Sequence, residues 1–170
     1  MVAVGEKAPE FDLEAYENGE IRRVNSSEFA GKWTVLFFYP RDFTFICPTE
    51  IRGFAQAVPE FEKAGAVVVA ASTDSAYSHK AWFEKDLPEV KYPVLADTGH
   101  ALSRAFGVLI EKDGTALRAT FIIDSHGTIQ YTVVSNLNVG RSVQETLRVL
   151  SALKTGGLCP LEWRPGMKTL

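Results

Sequence analysis

Two cysteines, Cys47 and Cys159, are the only thiols in a chain of 170 residues. The first stands in the run Phe37-Phe38-Tyr39-Pro40-Arg41-Asp42-Phe43-Thr44-Phe45-Ile46-Cys47-Pro48-Thr49-Glu50. An apolar segment ends at Pro40, a loop follows, and Cys47 immediately precedes Pro48, a residue favoured in the first position of a helix. A thiol placed there faces unpaired backbone N–H groups and the positive end of the helix macrodipole, which stabilise the thiolate, the form that attacks. A lone cysteine among aromatics is ordinarily an inert buried thiol. The strand-to-helix junction reverses that expectation and marks Cys47 as a nucleophile. Thr44 has a hydroxyl suited either to capping the turn or to orienting the sulfur, and Pro40 either shapes the loop or shields the thiolate. Taken singly, Arg118 reads as a solvated charge at a strand end, and Glu50 and Arg141 as surface residues of first helical turns.

Other chemistries have no residues to carry them. His79, His100 and His126 each stand alone, without a cysteine or carboxylate at zinc-ligand spacing, so surface or packing roles are expected and no metal. Neither a Gly-x-x-x-x-Gly-Lys-Ser/Thr nor a Gly-x-Gly-x-x-Gly run occurs, so there is no nucleotide cradle, no cofactor is expected, and redox equivalents must come from another protein. With 18 basic against 21 acidic side chains and a net charge of -3, the chain lacks the basic field that drives non-specific nucleic-acid binding. Its longest apolar runs, Val35 to Tyr39 and Ala66 to Ala71, are far short of the roughly 20 residues that span a bilayer. Met1 to Glu10 has no secretory-signal pattern, and a cytoplasmic location is expected. In that reducing setting a structural disulfide is improbable and the cysteines are expected to be chemical.

The elements that must position Cys47 follow from apolar patterning. A composition of 46% hydrophobic and 23% charged residues is that of one compact domain able to bury a sufficient core without staples. Thr34 to Tyr39, Val67 to Ser72 and Thr120 to Asp124 read as buried central strands. Ile51, Phe54, Ala55, Val58 and Phe61 share one helical face, with Pro59 expected to bend or interrupt it; Val143, Leu147 and Leu150 mark a last helix. Ser142 and Glu145 form its capping box and Gly156 its stop. Asp113-Gly114 and Ser125-His126-Gly127 are hairpin signals around the run Ala116 to Ile123, so the strands before and after it should be antiparallel to it. The sum is an α/β chain with a mixed sheet and helices on both faces. Thr128 to Val134 reads as a sheet edge open to a symmetry mate. Trp82 and Phe83 are expected to pack, in a helix starting near Asp74, with a role near the site as the alternative. Beyond Gly156 the segment has no periodicity and should be a mobile tail.

The pattern Pro-x-x-x-Thr-x-x-Cys, extended to Phe-Tyr-Pro-Arg-Asp-Phe-Thr-Phe-Ile-Cys-Pro-Thr-Glu, closely resembles the active-site signature of peroxiredoxins. More narrowly, it resembles the typical two-cysteine group that includes the peroxidase component (C) of bacterial alkyl hydroperoxide reductase. The resemblance continues through Ser72-Thr73-Asp74, Lys80-Ala81-Trp82, Arg118 to Asp124, Val139-Gly140-Arg141-Ser142 and Cys159-Pro160-Leu161-Glu162-Trp163. It implies a thioredoxin-like peroxidase domain over residues 1–156 and a tail over residues 157–170 carrying a resolving cysteine. On this resemblance Cys47 is the peroxidatic cysteine, Thr44 the hydroxyl that hydrogen-bonds sulfur and peroxide, Pro40 the shield, and Arg118 the cation on thiolate and peroxide oxygens. Glu50 and Arg141 are the supporting shell and Cys159 the resolving thiol. No metal is needed. The implied activity is reduction of hydrogen peroxide and organic hydroperoxides through a sulfenic acid and an intersubunit disulfide. A thioredoxin-like or alkyl hydroperoxide reductase partner protein would reduce that disulfide, and the assembly would be a homodimer or a ring of dimers.

The short connection from Lys154 to Cys159 resembles the actinobacterial form of that peroxidase component. The lack of a Tyr-Phe tail helix and of a Gly-Gly-Leu-Gly insertion implies resistance to inactivation by excess peroxide. A thioredoxin-type disulfide oxidoreductase would require Cys-x-x-Cys, and the second position is Glu50. A binding module with incidental thiols would consume no peroxide.

Overall fold

The computed structural model describes residues 1–170. Nine strands and four helices follow in the order β1 Asp12–Glu17, β2 Glu20–Asn25, a 3₁₀ turn Ser26–Phe29, β3 Trp33–Phe38, α1 Cys47–Lys63, β4 Ala66–Ser72, α2 Ala76–Asp86, β5 Val94–Ala96, α3 Ala101–Ala105, β6 Leu109–Ile110, β7 Thr115–Ala116, β8 Arg118–Ile123, β9 Ile129–Ser135 and α4 Val143–Thr155. Seven strands make one sheet in the order β2-β1-β5-β4-β3-β8-β9, and β6 and β7 pair separately. β3 is parallel to β4 and antiparallel to β8, so the sheet is mixed, as expected, with the strand leading to Cys47 between two buried neighbours.

Alternation along β3 divides the core. Val35 and Phe37 face α1, α2 and α4 in a cluster that includes Phe54, Phe61, Trp82, Phe83 and Leu150. Leu36 and Phe38 face the short α3 and the loops of the other side, with Phe106 and Phe121. Helices therefore cover both faces, three on one and one on the other. The closest aromatic pair, Phe37 on Phe54 at 4.2 Å between ring centres, lies where β3 supports the first half of α1. No helix is long and apolar enough to cross a membrane.

Several expectations need adjustment. Pro59 lies inside α1 without ending it; the missing N–H removes one hydrogen bond, and the flanking apolar face, Phe54 to Phe61, holds the helix through it. Ser142 caps α4 by accepting from the Glu145 amide, but the Glu145 side chain pairs with Arg148 instead of closing the box. The hairpin at Asp113-Gly114 joins β6 to β7, outside the main sheet, so β8 has β3 as its antiparallel neighbour there, while the turn at Ser125 to Gly127 joins β8 to β9 as expected. α2 begins at Ala76 with Ser75 as its cap rather than at Asp74. β1, β2 and β5 lie outside the strands that the apolar runs mark. The first two form a hairpin whose turn residues Asn18 and Gly19 both have positive φ, 47° and 94°, the Asn-Gly signal of a tight hairpin. The tail is aperiodic, and Trp163, 3% exposed, anchors it, with its carbonyl accepting from Arg148.

Candidate active site

Cys47 is the first residue of α1 and is fully buried. Ile46 makes no side-chain cap, so the helix start is left open next to the sulfur. Thr44 does not supply the cap either: its hydroxyl donates to the Arg41 carbonyl at 2.8 Å, which is the turn-forming reading of that residue. Pro40, half-buried, opens the loop directly after β3 and Tyr39.

Three charged residues, from β8, α1 and the loop before α4, converge beside the thiol. Arg118, on β8, places Nη1 3.4 Å from Cys47 Sγ and 2.8 Å from Glu50 Oε2. Its Nε donates to the Leu137 carbonyl at 2.7 Å, which fixes the plane of the guanidinium. Glu50, one turn along α1 from Cys47, receives a forked contact from Arg141, Nε to Oε1 and Nη2 to Oε2, both at 2.8 Å. Arg141 adds its backbone N–H to Glu50 and spends Nη1 on the Ala119 carbonyl. The side chains of Arg118, Glu50 and Arg141 are 5%, 2% and 2% exposed. None is the surface residue that its type alone suggests, because each is paired and the pairing removes the penalty of burial. Burial pushes the Glu50 carboxyl up, but the Arg141 hydrogen bonds and charge, with the Arg118 charge, outweigh it and hold the carboxyl below its usual range. Glu50 thus stays anionic and keeps Arg118 oriented. With two arginines to one carboxylate, the cluster has an excess of positive charge next to the buried Cys47 sulfur.

A second buried network, which sequence spacing does not reveal, holds the loop upstream of Cys47. Asp42, 4% exposed, accepts from Tyr39 Oη at 2.7 Å, from Ser78 Oγ at 2.8 Å and meets His79 Nδ1 at 2.8 Å. The other nitrogen of His79 faces the Leu95 carbonyl at 3.1 Å. Asp74 accepts from the Asp42 amide. Burial, followed by the charge and hydrogen bond of Asp42, pushes the Tyr39 phenol well above its ordinary value, so it remains a donor. His79 is therefore neither a surface nor a simple packing residue: it ties α2 and β5 to the loop. The cue in the sequence is weak because Asp42 and His79 are 37 positions apart. Trp82 packs on Tyr39 and Phe43 at 6.4 and 5.7 Å, the packing role expected of it.

Cys159 is not brought to this site. Half-buried, its thiol lies 3.6 Å from the Ala152 carbonyl and 3.5 Å from Thr155 Oγ1, against the far end of α4. The start of α4 is beside Arg141, and nine helical residues to Ala152 carry the chain about 14 Å away. That exceeds the Cα separation of about 7 Å that a disulfide tolerates. Both thiols are free.

Such a constellation can deliver a thiolate to an oxygen electrophile and stabilise charge on the departing oxygen, with donors fixed before the reaction begins. Comparison with known proteins agrees. The AhpC/TSA family description matches residues 4–132. The chain is 51% identical to YkuU of Bacillus subtilis, which bears a peroxiredoxin name, over 98% of this chain and 97% of that one. It is 47% identical to a thioredoxin peroxidase of Echinococcus granulosus, covering 98% and 91%. Among solved structures, the reduced 2-Cys peroxiredoxin of Plasmodium vivax superposes with a TM-score of 0.95 at 35% identity over 99% of this chain and 93% of that one. The AhpC of Mycobacterium tuberculosis does so at 0.88 and 39% over 96% and 99%. The thioredoxin-like fold is thus shared over nearly the whole chain with enzymes named as peroxiredoxins and thioredoxin peroxidases, and this chain belongs to the AhpC/TSA family as a thiol-dependent peroxidase of the two-cysteine peroxiredoxin type.

Proposed function

We propose that Cys47 attacks the peroxide, that Arg118 holds both thiolate and peroxide, and that Cys159 of a neighbouring subunit resolves the product. The observation that carries this reading is the Arg118 guanidinium shared between Cys47 Sγ and Glu50. The sulfur attacks one peroxide oxygen, the O–O bond breaks, and the departing oxygen takes a proton to leave as water or an alcohol, with Cys47 as sulfenic acid. Arg118 Nη2, which makes no hydrogen bond within the chain, is free to meet the developing negative charge. The Thr44 hydroxyl donates its hydrogen bond to the Arg41 carbonyl, so its oxygen accepts from the incoming hydroperoxide. Pro40 screens the sulfur from water, and Glu50 and Arg141 keep Arg118 in place.

In the second step Cys159 sulfur displaces hydroxide from the sulfenic sulfur, a proton converts this to water, and a disulfide forms. The separation along α4 favours a partner chain as its source. β9 is the last strand of the sheet; Ile129 at its start bonds the backbone of Gly5 and Glu6, and the rest has β8 as its one strand neighbour, an edge suited to two-fold pairing that brings two tails across a dimer. Residues 157–170 act as a tail distinct from the domain over 1–156, and it and the first turn of α1 must loosen for the sulfurs to meet. Phe43, Phe45 and Tyr77, 56%, 93% and 70% exposed, offer an apolar patch beside the Cys47 loop through which dimers associate further. The electrons come from a thioredoxin-like or alkyl hydroperoxide reductase type dithiol protein, in the reducing interior of the cell.

Peroxide consumption by the pure protein with dithiothreitol tests the reading. Steady turnover is expected, and its absence would sink it. In the same assay Arg118→Ala should lower the second-order rate constant about a hundredfold, the effect of losing one preorganised donor to a developing oxyanion. A near-normal rate would remove Arg118 from the mechanism. Peroxide-treated protein should migrate as a covalent dimer on a non-reducing denaturing gel, and Cys159→Ser should consume one equivalent of peroxide and stop. A monomeric band with an internal Cys47–Cys159 bond would leave the peroxidase step standing and overturn the intersubunit one.

A further inference from the structure

The sheet has a recess at the end remote from Cys47. β3 begins there, at Trp33 and Thr34, and leaves towards the active-site loop at its other end. The recess is a cavity of about 590 Å³ with a floor of Leu36, Val69, Phe106 and Ile123 and flanks of Phe11 and Phe29. This volume falls among small-molecule sites, which span about 300–1,000 Å³. None of these residues takes part in the peroxidase chemistry.

One group in it is unexplained by folding. Thr34 shares the face of Leu36, two positions on, and is only 6% exposed. Its hydroxyl has no hydrogen-bond partner in the protein. The one side-chain polar atom that is both partnerless and sealed from solvent is Thr132 Oγ1, elsewhere on β9, so Thr34 Oγ1 opens onto the cavity. A buried strand position of this shape would be filled as well by valine, without an unpaired hydroxyl. Lys32, two residues before Thr34 and exposed, lines the mouth and forms no ion pair. Lys7 is also at the mouth, where it donates to the His126 carbonyl at 2.6 Å with two ammonium protons to spare. Of the two carboxylates there, Asp124 is occupied by the amides of His126 and Thr128 and by Gln130, leaving Glu10. The cavity is therefore polar at its mouth and apolar within: Leu36 is about 7 Å further along the strand than Thr34, and Phe106 packs on Phe38 at 5.3 Å, deeper still.

We propose that this cavity binds a small amphipathic carboxylate. The carboxylate accepts hydrogen bonds from the Thr34 hydroxyl and the Lys32 ammonium, and the apolar body lies over Leu36, Val69 and Phe106 between Phe11 and Phe29. The site is independent of the assignment of Cys47 and stands or falls separately from it.

Calorimetric titration of the full-length reduced protein with decanoate, decanol and decylamine tests it. Decanoate should bind saturably at one per chain, with decanol and decylamine at least about tenfold weaker, since a charge-assisted hydrogen bond is lost in each. Thr34→Val should weaken decanoate about threefold to tenfold while leaving the melting temperature of the ligand-free protein unchanged or higher. Lys32→Gln, at an exposed position that does not threaten folding, should weaken decanoate and leave decanol unaffected. Peroxide turnover should be unchanged in both variants. No saturable binding of decanoate, equal binding of the neutral or cationic analogue, or unaltered decanoate affinity in both variants would overturn the proposal. So would a lower melting temperature for ligand-free Thr34→Val, because the hydroxyl would then be serving the fold.

Discussion

Cys47→Ser is expected to consume no peroxide above a protein-free control while keeping the fold. The substitution exchanges a buried thiol for a hydroxyl of similar size and leaves α1, Arg118 and Glu50 where they are. The Arg118 Nη1 that lies 3.4 Å from the sulfur can donate to the new oxygen, so any loss of stability should be about 1–2 kcal/mol. The chemistry does not survive the exchange. A serine hydroxyl does not ionise near neutral pH, has no base beside it, and cannot form a sulfenic acid, so neither the first nor the second step has a substrate. Cys159 is retained in this variant, which makes the experiment decisive between the two thiols. Circular dichroism should superpose on that of the parent protein, and a peroxide assay with dithiothreitol should be flat. Turnover by this variant would move the reaction to Cys159 and leave the cluster at Arg118 without a role.

The largest effect on stability should come from Glu50→Ala. It leaves the Arg118 and Arg141 side chains, 5% and 2% exposed, without the carboxylate that both share. Breaking a buried ion pair by removing one partner costs about 3–5 kcal/mol, a large part of the roughly 5–15 kcal/mol of a whole domain. For a chain of this length that corresponds to a fall in melting temperature of about 6–20 °C. The milder Glu50→Gln keeps two polar atoms for the arginines and isolates the charge. Because the folded carboxyl lies below its unfolded value, its pairing stabilises fully above about pH 4.3 and progressively less as pH falls through the folded value. The gap in melting temperature between parent and Glu50→Gln should therefore be widest near neutrality, begin to narrow around the ordinary carboxylate value of about 4.3 and close as pH falls through the lower folded value. A gap that persists unchanged into acid would show that Glu50 acts through shape and not through its charge.

Much of the site is legible in the sequence because its signals are local. Proline after cysteine, a preceding apolar run and an intervening loop place a thiol at a strand-to-helix junction, since Pro48 suits a first helical turn and the β-rich run Thr34 to Tyr39 suits a buried strand. Three central strands, the first and last long helices and the hairpin at Gly127 are written in the same short-range code of periodicity and turn residues. The N-terminal hairpin is equally local, with Asn18-Gly19 as its signal, yet its strands alternate charged and apolar residues on a half-exposed edge, where the pattern is weak.

The tertiary structure decided what charge does. Arg118, Glu50 and Arg141 come from β8, α1 and the approach to α4, separated by 68 and 91 positions, and each by itself reads as a surface charge. Only the sheet order, which sets β8 beside β3 and so beside the start of α1, brings them into one buried cluster where pairing outweighs desolvation. The same holds for Asp42 and His79, whose contact exists because α2 packs over the loop that leaves β3. Conversely, the fold turned Thr44 towards the Arg41 carbonyl and kept Cys159 at the far end of α4. Hydrogen-bond geometry and distance of that kind depend on how elements pack, and no spacing along the chain encodes them. The position of the Cys47 thiol at a strand-to-helix junction was thus determined by the sequence itself, through local backbone preference, whereas the charged environment around it was decided by long-range packing.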